Sequence, residues 1–135
     1  MIYGIGVDCV EIDRFTLWHT YSPQQLSRIF SDDEVTYCLS SPTKIAERFA
    51  ARFAAKEAFL KALTSGGLQI PLLYLCKHAS VIKDKKNNSP LFIISNTLRQ
   101  QLLVKNTIIH LSITHTKEYA TAFVVIEKSN TTLIP

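Results

Sequence analysis

An alanine-rich run at residues 48–63 constrains the fold more than any other part of this chain. Aromatic and leucine side chains recur in it at helical spacing, and on a helical wheel one apolar stripe is formed by Phe49, Phe53, Leu60 and Leu63. The many alanines indicate that neighbouring segments pack closely on several sides. We therefore predict a long central helix that begins at Ser41-Pro42, reaches about Thr64 and is ended by the glycines that follow.

A glycine-punctuated strand is predicted over residues 2–9. Its alternation places Gly4, Gly6 and Asp8 on one face. Because glycine has no side chain, this face is open to another backbone or to a ligand that approaches Asp8. The glycines are not a dinucleotide-binding fingerprint, since the third glycine of that pattern is missing.

The remaining pattern predicts short helices in the first half and strands in the second. Helices are predicted over residues 11–19, after the cap Ser22-Pro23, and after the capping box of Ser31 and Glu34. Further predicted elements are a strand within 72–82, a returning strand at 90–94, a helix capped by Asn96 that contains Leu98, Leu102 and Leu103, and strands at 108–114 and 120–127, the last of them central. Together they predict one α+β domain over residues 1–135, with the long helix packed on a small antiparallel sheet.

Composition limits the classes of function. Hydrophobic residues make up 47% and charged residues 19%, which allows a buried core and excludes a disordered tail. The net charge of +4 and the pI of 9.0 favour an acidic partner, such as a nucleotide, a nucleic acid or an acidic protein. Three widely spaced cysteines predict reduced thiols, and the lack of a signal peptide or a membrane-length apolar run predicts a cytoplasmic protein without membrane contact.

Asp8, Glu57 and Lys61 carry the first functional hypothesis. Two carboxylates and a lysine in a small basic protein are typical of a magnesium site that holds phosphates, because Mg²⁺ takes one or two carboxylates beside phosphate oxygens. Simpler interpretations stay open at this point. Glu57 and Lys61 are four residues apart and can form a surface ion pair, and Asp8 can cap the next helix.

Other charged residues also allow two interpretations. Lys56 falls inside the aromatic stripe, where it either extends to solvent or meets an anion. Arg48 and Arg52, one turn apart, either are solvated or face a phosphate. His115 begins a predicted polar turn, where it either bonds to the backbone or lines a site.

Three segments of the chain resemble the signatures of the holo-[acyl-carrier-protein] synthases, the small 4′-phosphopantetheinyl transferases. They are residues 6–15, 52–62 and 111–120, in the order and at the spacing of that family. The resemblance implies the α+β fold of these transferases. It also implies transfer of the 4′-phosphopantetheine arm of coenzyme A to a serine of apo acyl carrier protein, with release of adenosine 3′,5′-bisphosphate, in support of fatty acid biosynthesis.

The resemblance also implies roles for single residues. Asp8 and Glu57 would bind Mg²⁺ against the pyrophosphate of coenzyme A, Lys61 would contact phosphate, and His115 would lie at the coenzyme site. The predicted catalytic residues are therefore Asp8, Glu57, Lys61 and His115. Within this set we expect Glu57 to accept the proton of the attacking serine. The family further implies a homotrimer with active sites between neighbouring subunits.

Binding residues are predicted around this set. The predicted coenzyme contacts are Arg52, Lys56, Lys61, Gly66, Gly67 and His115, and the predicted contacts to the acidic carrier helix are Arg14, Trp18 and Arg28. The chain departs from the family pattern after Leu72, where Lys77-His78-Ala79 stands in place of an acidic residue. The sequence therefore does not identify the preferred carrier protein.

Other functions compete with this interpretation. One is a carrier-binding module of the same fold that has lost turnover, and another is a different magnesium-dependent nucleotide enzyme, such as a phosphodiesterase. A nucleic-acid binder would explain the pI of 9.0, but the basic residues are scattered and no interleaved aromatic motif is present. We therefore expect coenzyme A and apo acyl carrier protein as partners, and no nucleic acid.

Overall fold

The computed structural model describes residues 1–102 and 107–129. In chain order its strands and helices are β1 (Ile2–Glu11), α1 (Pro23–Leu26), α2 (Asp32–Leu39), α3 (Ile45–Ser65), α4 (Leu72–His78), β2 (Ala79–Lys83), β3 (Pro90–Ile94), α5 (Asn96–Gln101), β4 (Thr107–His115) and β5 (Tyr119–Lys128). The predicted α+β fold, with a long helix on an antiparallel sheet, is confirmed. Leu103, which we predicted in α5, lies outside the described residues.

Strand β5 lies between β1 and β4 and pairs antiparallel with both, as predicted for a central strand. The register pairs Asp8 with Ala122 and Ala122 with Ile113. One face of β5 is fully buried under α3, and its residues are Ala120, Ala122, Val124 and Ile126. Asp8 is on this same face, because directly paired residues of an antiparallel sheet project to the same side.

Helix α3 lies directly on the backbone of β1 at the two predicted glycines. A Cβ atom at Gly4 would collide with the carbonyl oxygen of Ala62, and one at Gly6 with that of Ala58. Both alanines are fully buried. The small alanine side chains of α3 therefore allow the helix to pack closely on the sheet, and this contact fixes the distance between Asp8 on β1 and the helix.

The C-terminal end of α3 is closed by a Schellman motif, as the two glycines predicted. The Leu68 N–H donates to Leu63 O at 2.9 Å and the Gly67 N–H donates to Thr64 O at 3.0 Å. Gly67 has a φ of 99°, which side chains disfavour, and Gly66 packs against the ring of Tyr3. Local structure therefore explains why glycine occurs at both positions.

Four local predictions were wrong in detail. Residues 11–19, predicted as one helix, lie in two short 3₁₀ segments, Ile12–Phe15 and Trp18–Thr20, and the Thr16 and Thr20 hydroxyls each donate to the carbonyl three residues back. Helix α3 begins at Ile45, since residues 41–44 form a turn. Helix α4 precedes strand β2, where we expected only a strand, and the side chain that caps α5 belongs to Ser95, not Asn96.

The two predicted N-terminal capping motifs are confirmed. Ser22 and Gln25 form a capping box at α1, and Ser31 and Glu34 form one at α2. The second box has a further role, because the Glu34 side chain is buried and also accepts the Val81 N–H at 3.0 Å. It thereby joins α2 to the β2–β3 hairpin.

The outer face of the sheet, opposite α3, is apolar and exposed. Val7 is 54% exposed and pairs with Phe123, which is 44% exposed, and Ile5 beside them is 52% exposed. Such a contiguous apolar face is typical of an interaction surface. Within residues 1–102 and 107–129, no helix combines the length and the apolar character needed to span a bilayer.

Candidate active site

Asp8 and Lys61 form an ion pair where β1 passes under α3. Lys61 Nζ lies 3.0 Å from Asp8 Oδ1 and also donates to Val7 O at 3.0 Å. The Asp8 side chain is only 14% exposed, whereas that of Lys61 is 53% exposed. The pair therefore fixes Asp8 from one side and leaves the ammonium accessible to a ligand.

This geometry corrects two interpretations that the sequence left open. Lys61 pairs with Asp8 across the helix–sheet contact, so the expected ion pair with Glu57 is not the one formed. Asp8 does not cap the next segment, because the cap position there is Glu11 and no side chain bonds to it. Asp8 instead remains in β1 with its carboxylate turned toward α3.

Glu57 lies one turn before Lys61 on α3 and is half-buried. Burial raises the pKa of Glu57, and the negative charge of Asp8 raises it further, while the charges of Lys61 and Arg14 lower it. Asp8, Glu57 and Lys61 are thus brought together as predicted. The like charges of the two carboxylates oppose each other.

The donor set at Asp8 and Glu57 fits a hard divalent cation. Asp8 Oδ2 is buried and has no hydrogen-bond partner, so one carboxylate oxygen is free of protein donors. A cation would satisfy this oxygen and relieve the repulsion from Glu57. In the described part of the chain no group of three or more His, Cys, Asp or Glu could hold a metal. Two carboxylates are nevertheless sufficient for Mg²⁺, which completes its shell with water and phosphate.

His115 lies in a different part of the protomer. Its Nε2 is 3.1 Å from Glu47 Oε1 near the start of α3. Glu47 and Glu57 are ten residues apart on that helix, which corresponds to about 15 Å along its axis. The structure therefore does not bring His115 together with Asp8, Glu57 and Lys61 within one chain.

A cationic cavity of about 390 Å³ lies beside His115. Its charged lining consists of Lys44, Glu47, Arg48, Arg52, Lys83 and His115. Arg52 is 6% exposed, and its Nε is buried without a hydrogen-bond partner. A cavity with several cations and an unsatisfied buried N–H donor is suited to an anionic group such as a phosphate.

Tyr37 organises the cations of this cavity. The guanidinium groups of Arg48 and Arg52 lie 4.1 Å and 4.0 Å from the centre of its ring, and Lys83 Nζ lies at 4.9 Å. Burial alone would raise the pKa of Tyr37, but the hydrogen bond with Lys83 and the charges of Arg48, Lys83 and Arg52 leave it lowered. The ring thus holds three cations next to one another.

Sequence reasoning identified Arg52 and His115, and left open that Arg48 faces a phosphate, but it missed the rest of this cavity. The signal that could have found it is the spacing of Lys44, Arg48 and Arg52, four residues apart, which places their side chains on one side of α3. Lys83 and Tyr37 carry no comparable signal, because they reach the cavity through tertiary packing.

The structure contradicts the coenzyme contact predicted for Lys56. Its side chain is fully buried and lies 2.7 Å from the equally buried Glu34 carboxylate. The ammonium also donates to Ile29 O. Lys56 therefore neither reaches solvent nor meets an external anion, because a protein carboxylate already neutralises it. The coenzyme role predicted for Gly66 and Gly67 stays a prediction.

The predicted carrier contacts differ in their exposure. Arg14 is exposed, and its charge acts on Glu57, so it lies at the edge of the carboxylate site. Arg28 is exposed after α1. Trp18 is half-buried at the centre of an aromatic cluster that includes Phe15, Tyr21, Phe30, Phe49 and Phe53. The cluster makes Trp18 mainly a core residue that offers one edge to a partner.

Comparison with known proteins identifies relatives across almost the whole chain. Residues 4–124 match the model of the 4′-phosphopantetheinyl transferase superfamily. A holo-[acyl-carrier-protein] synthase of Treponema denticola is 41% identical over 128 residues, which cover 94% of this chain and 99% of that protein. The relation therefore extends well beyond the three motifs.

Solved structures agree with these relatives. A holo-[acyl-carrier-protein] synthase from Neisseria meningitidis superposes with a TM-score of 0.77 at 30% identity, over 95% of this chain and 100% of that one. One from Bacillus anthracis str. Ames, in complex with CoA (3′,5′-ADP), gives a TM-score of 0.72 at 32% identity, over 96% and 99% of the two chains.

Proposed function

The chain belongs to the 4′-phosphopantetheinyl transferase superfamily and is an enzyme of the holo-[acyl-carrier-protein] synthase type, and from this premise we propose its reaction. It transfers the 4′-phosphopantetheine arm of coenzyme A to a serine of apo acyl carrier protein. The serine oxygen forms a bond to the β-phosphorus, and the bond from this phosphorus to the bridging oxygen breaks. Adenosine 3′,5′-bisphosphate leaves with that oxygen, and the modified carrier supports fatty acid biosynthesis.

The cluster of Asp8, Glu57 and Lys61 is the observation that carries this proposal. Attack on a pyrophosphate requires positive charge where negative charge accumulates on the leaving phosphate. The half-exposed Lys61 ammonium, held by Asp8 Oδ1 and Val7 O, can supply that charge without reorganisation.

Glu57 is the candidate acceptor for the serine proton. Its half-buried carboxylate lies one turn from the Lys61 ammonium, where it can receive the proton as the serine attacks. Asp8 is less suited, because its Oδ1 already accepts a hydrogen bond from Lys61. We therefore assign proton transfer to Glu57 and positioning of Lys61 to Asp8.

We further propose that Asp8 and Glu57 hold Mg²⁺. The bound ion would neutralise the pyrophosphate charge as a Lewis acid. The unpartnered Asp8 Oδ2 and the opposed charges of the two carboxylates support this placement.

The cationic cavity supports binding of a polyanionic coenzyme. Coenzyme A carries phosphate charges away from the reacting bond, and Arg52 and His115 line a cavity rich in cations. Because His115 contacts Glu47, which lies about 15 Å along α3 from Glu57, one coenzyme would use both sites most simply if they come from neighbouring subunits. The exposed apolar face around Val7 and Phe123 supports such a homotrimer, with active sites at the subunit junctions.

The decisive experiment is intact-mass spectrometry of apo acyl carrier protein incubated with this protein, coenzyme A and Mg²⁺. We expect a mass gain of one phosphopantetheine group, lost with EDTA and with Glu57→Ala. Release of adenosine 3′,5′-bisphosphate only when the carrier is present would exclude a simple phosphodiesterase. No mass gain with several apo carriers, despite carrier binding, would instead indicate a non-catalytic module. The cytoplasmic location, consistent with the free thiols of Cys9, Cys38 and Cys76, is part of the proposal.

A further inference from the structure

The cationic cavity contains a carboxylate that a phosphate site does not require. Among the described residues that line the cavity, four are lysine or arginine and one, Glu47, is acidic. Glu47 Oε1 lies 3.1 Å from Nε2 of His115, which we propose as a coenzyme contact. The protein thus places one of its own anions against a residue that is to meet an anionic ligand.

The contact between Glu47 and His115 is accessible to solvent. The His115 side chain is 48% exposed and the Glu47 side chain is 33% exposed. Within residues 1–102 and 107–129, neither side chain forms a second ion pair. Ion pairs with this exposure are weak, because water screens both charges. A ligand can therefore separate the two side chains with little loss of free energy.

A bound phosphate and Glu47 would compete for the same ring nitrogen. An imidazole nitrogen that carries a proton donates to one acceptor, and Nε2 of His115 faces Glu47. A phosphate oxygen that takes this position displaces the carboxylate. The Glu47 charge also repels the phosphate, whereas Arg52, whose buried Nε has no hydrogen-bond partner, attracts it.

The arginines of the cavity are held in place without Glu47. Arg48 donates to Tyr37 O at 2.8 Å and to Ser40 Oγ at 2.9 Å. The guanidinium groups of Arg48 and Arg52 both lie over the Tyr37 ring. Removal of the Glu47 charge should therefore leave these groups where they are, and its effect on anion binding can be measured directly.

We propose that Glu47 is an internal competitor of the coenzyme: its carboxylate holds His115 until a phosphate displaces it, and it returns when the nucleotide leaves. The product adenosine 3′,5′-bisphosphate keeps a phosphate remote from the reacting bond, so the competition weakens the binding of substrate and product alike. Its benefit is faster release of a product that several cations attract. The inference rests on the coenzyme role proposed for this cavity, and it assigns the control of affinity at that site to Glu47.

Isothermal titration calorimetry with adenosine 3′,5′-bisphosphate, without carrier or metal, measures binding apart from turnover. Glu47→Gln should lower the Kd about three- to fivefold, the scale of one half-exposed ion pair. In the transfer reaction, inhibition by the product should become stronger by a similar factor, and the KM for coenzyme A should fall.

Glu127→Gln is the matched control. Glu127 forms a second carboxylate–imidazole pair, with His110 at 2.8 Å, its side chain is 46% exposed, and the change in net charge is identical. Because neither Glu127 nor His110 lines the cavity, this variant should leave the Kd unchanged. An equal fall of the Kd in Glu47→Gln and Glu127→Gln would overturn the proposal.

A double-mutant cycle separates direct competition from a general effect of charge. In a His115→Ala background, where Arg48 and Arg52 still attract the nucleotide, Glu47→Gln should lower the Kd less than about twofold, because the contested group is absent. An equal gain in both backgrounds would overturn the proposal. An unchanged or raised Kd in Glu47→Gln alone would overturn it as well, and a raised Kd would make Glu47 a residue that orients His115. No binding of the nucleotide by the wild type would count against the coenzyme role of the cavity itself.

Discussion

The Lys61 ammonium lies 3.0 Å from Asp8 Oδ1, although the two residues are 53 positions apart and Glu57 is only one helical turn from Lys61. This choice of partner has a consequence for Glu57. The negative charge of Asp8 acts on the Glu57 carboxylate, and Lys61, the cation that would offset this charge, forms its ion pair with Asp8. The protein alone thus holds two carboxylates in an unfavourable arrangement, as expected where a bound cation and phosphates are to be recognised.

Glu57→Gln is expected to stabilise the protein while it abolishes transfer. The folded-state pKa of Glu57 is raised, so the folded protein binds its proton more readily than the unfolded chain does. Wild-type stability therefore falls as pH rises through the folded pKa, and the glutamine variant lacks this loss. We expect a gain of up to about 1 kcal/mol near neutral pH, since solvent screens the interaction.

Urea unfolding in EDTA at several pH values measures this gain. The difference between the two proteins should disappear below pH of about 4, where the glutamate is protonated in both states. Glu118→Gln is a suitable control, because Glu118 is exposed in the β4–β5 turn. A Glu57→Gln variant less stable than wild type at neutral pH would contradict the assignment.

The buried pair of Glu34 and Lys56 should behave as one unit. Lys56→Met leaves the Glu34 carboxylate buried without its cation, which should cost about 3–5 kcal/mol of unfolding free energy. Glu34→Gln with Lys56→Met removes both charges, and the amide oxygen of the substituted side chain can still accept a backbone N–H such as that of Val81. The double variant should therefore lose less than the sum of the single losses.

A double-mutant cycle by chemical denaturation measures this coupling, which we expect to be about 1–3 kcal/mol. The KM of the double variant for coenzyme A should remain close to the wild-type value, because Lys56 is enclosed by the protein. An additive cycle would contradict the coupling of Lys56 with Glu34, and a large rise of this KM in a folded double variant would restore a ligand-binding role for Lys56.

Substitution by alanine should destabilise the protein far more at the glycines of β1 than at Gly67, at the end of α3. A methyl group at Gly6 meets the backbone carbonyl of Ala58, which cannot rotate away, so Gly6→Ala should cost about 3 kcal/mol or more. Gly67→Ala meets nothing within 4 Å and costs only the positive φ, about 1 kcal/mol. Melting temperatures compare the two, and similar losses would show that α3 does not lie on β1 as described.

Local signals in the sequence explain which parts of the fold were predicted. The glycine pair of β1, the N-cap at Ser22, the capping box at Ser31 and the end of α3 depend on residues close in sequence, and each was found. Helix α4 was missed because its seven residues, LLYLCKH, are too few for a helical period to be distinguished from that of a strand.

The site was also predicted only in part, because the sequence motifs identify single residues but not the partners that they meet through packing. The motifs identified Asp8, Glu57 and Lys61, which the structure brings together. The partner of Lys56 could not be found, because Glu34 is 22 positions away and its visible role was that of a capping residue. Partners that meet only through packing leave no spacing in the sequence, which also explains why Tyr37 and Lys83 were missed.

Asp8→Asn and His115→Ala should complement each other if the two sites meet at a subunit junction. Each variant alone lacks one half of every site, but a mixed trimer contains junctions that combine an intact Asp8 with the intact His115 of a neighbour. In a random 1:1 mixture about one junction in four has both halves intact, so refolded mixtures should recover about a quarter of wild-type transfer. Asp8→Asn mixed with Glu57→Gln is the matched control, because both residues lie in one half-site and no intact half results. Recovery only in the first mixture supports the shared site, and no recovery in either would place Asp8 and His115 in the same subunit's site. Activity of His115→Ala alone would instead remove His115 from the reaction.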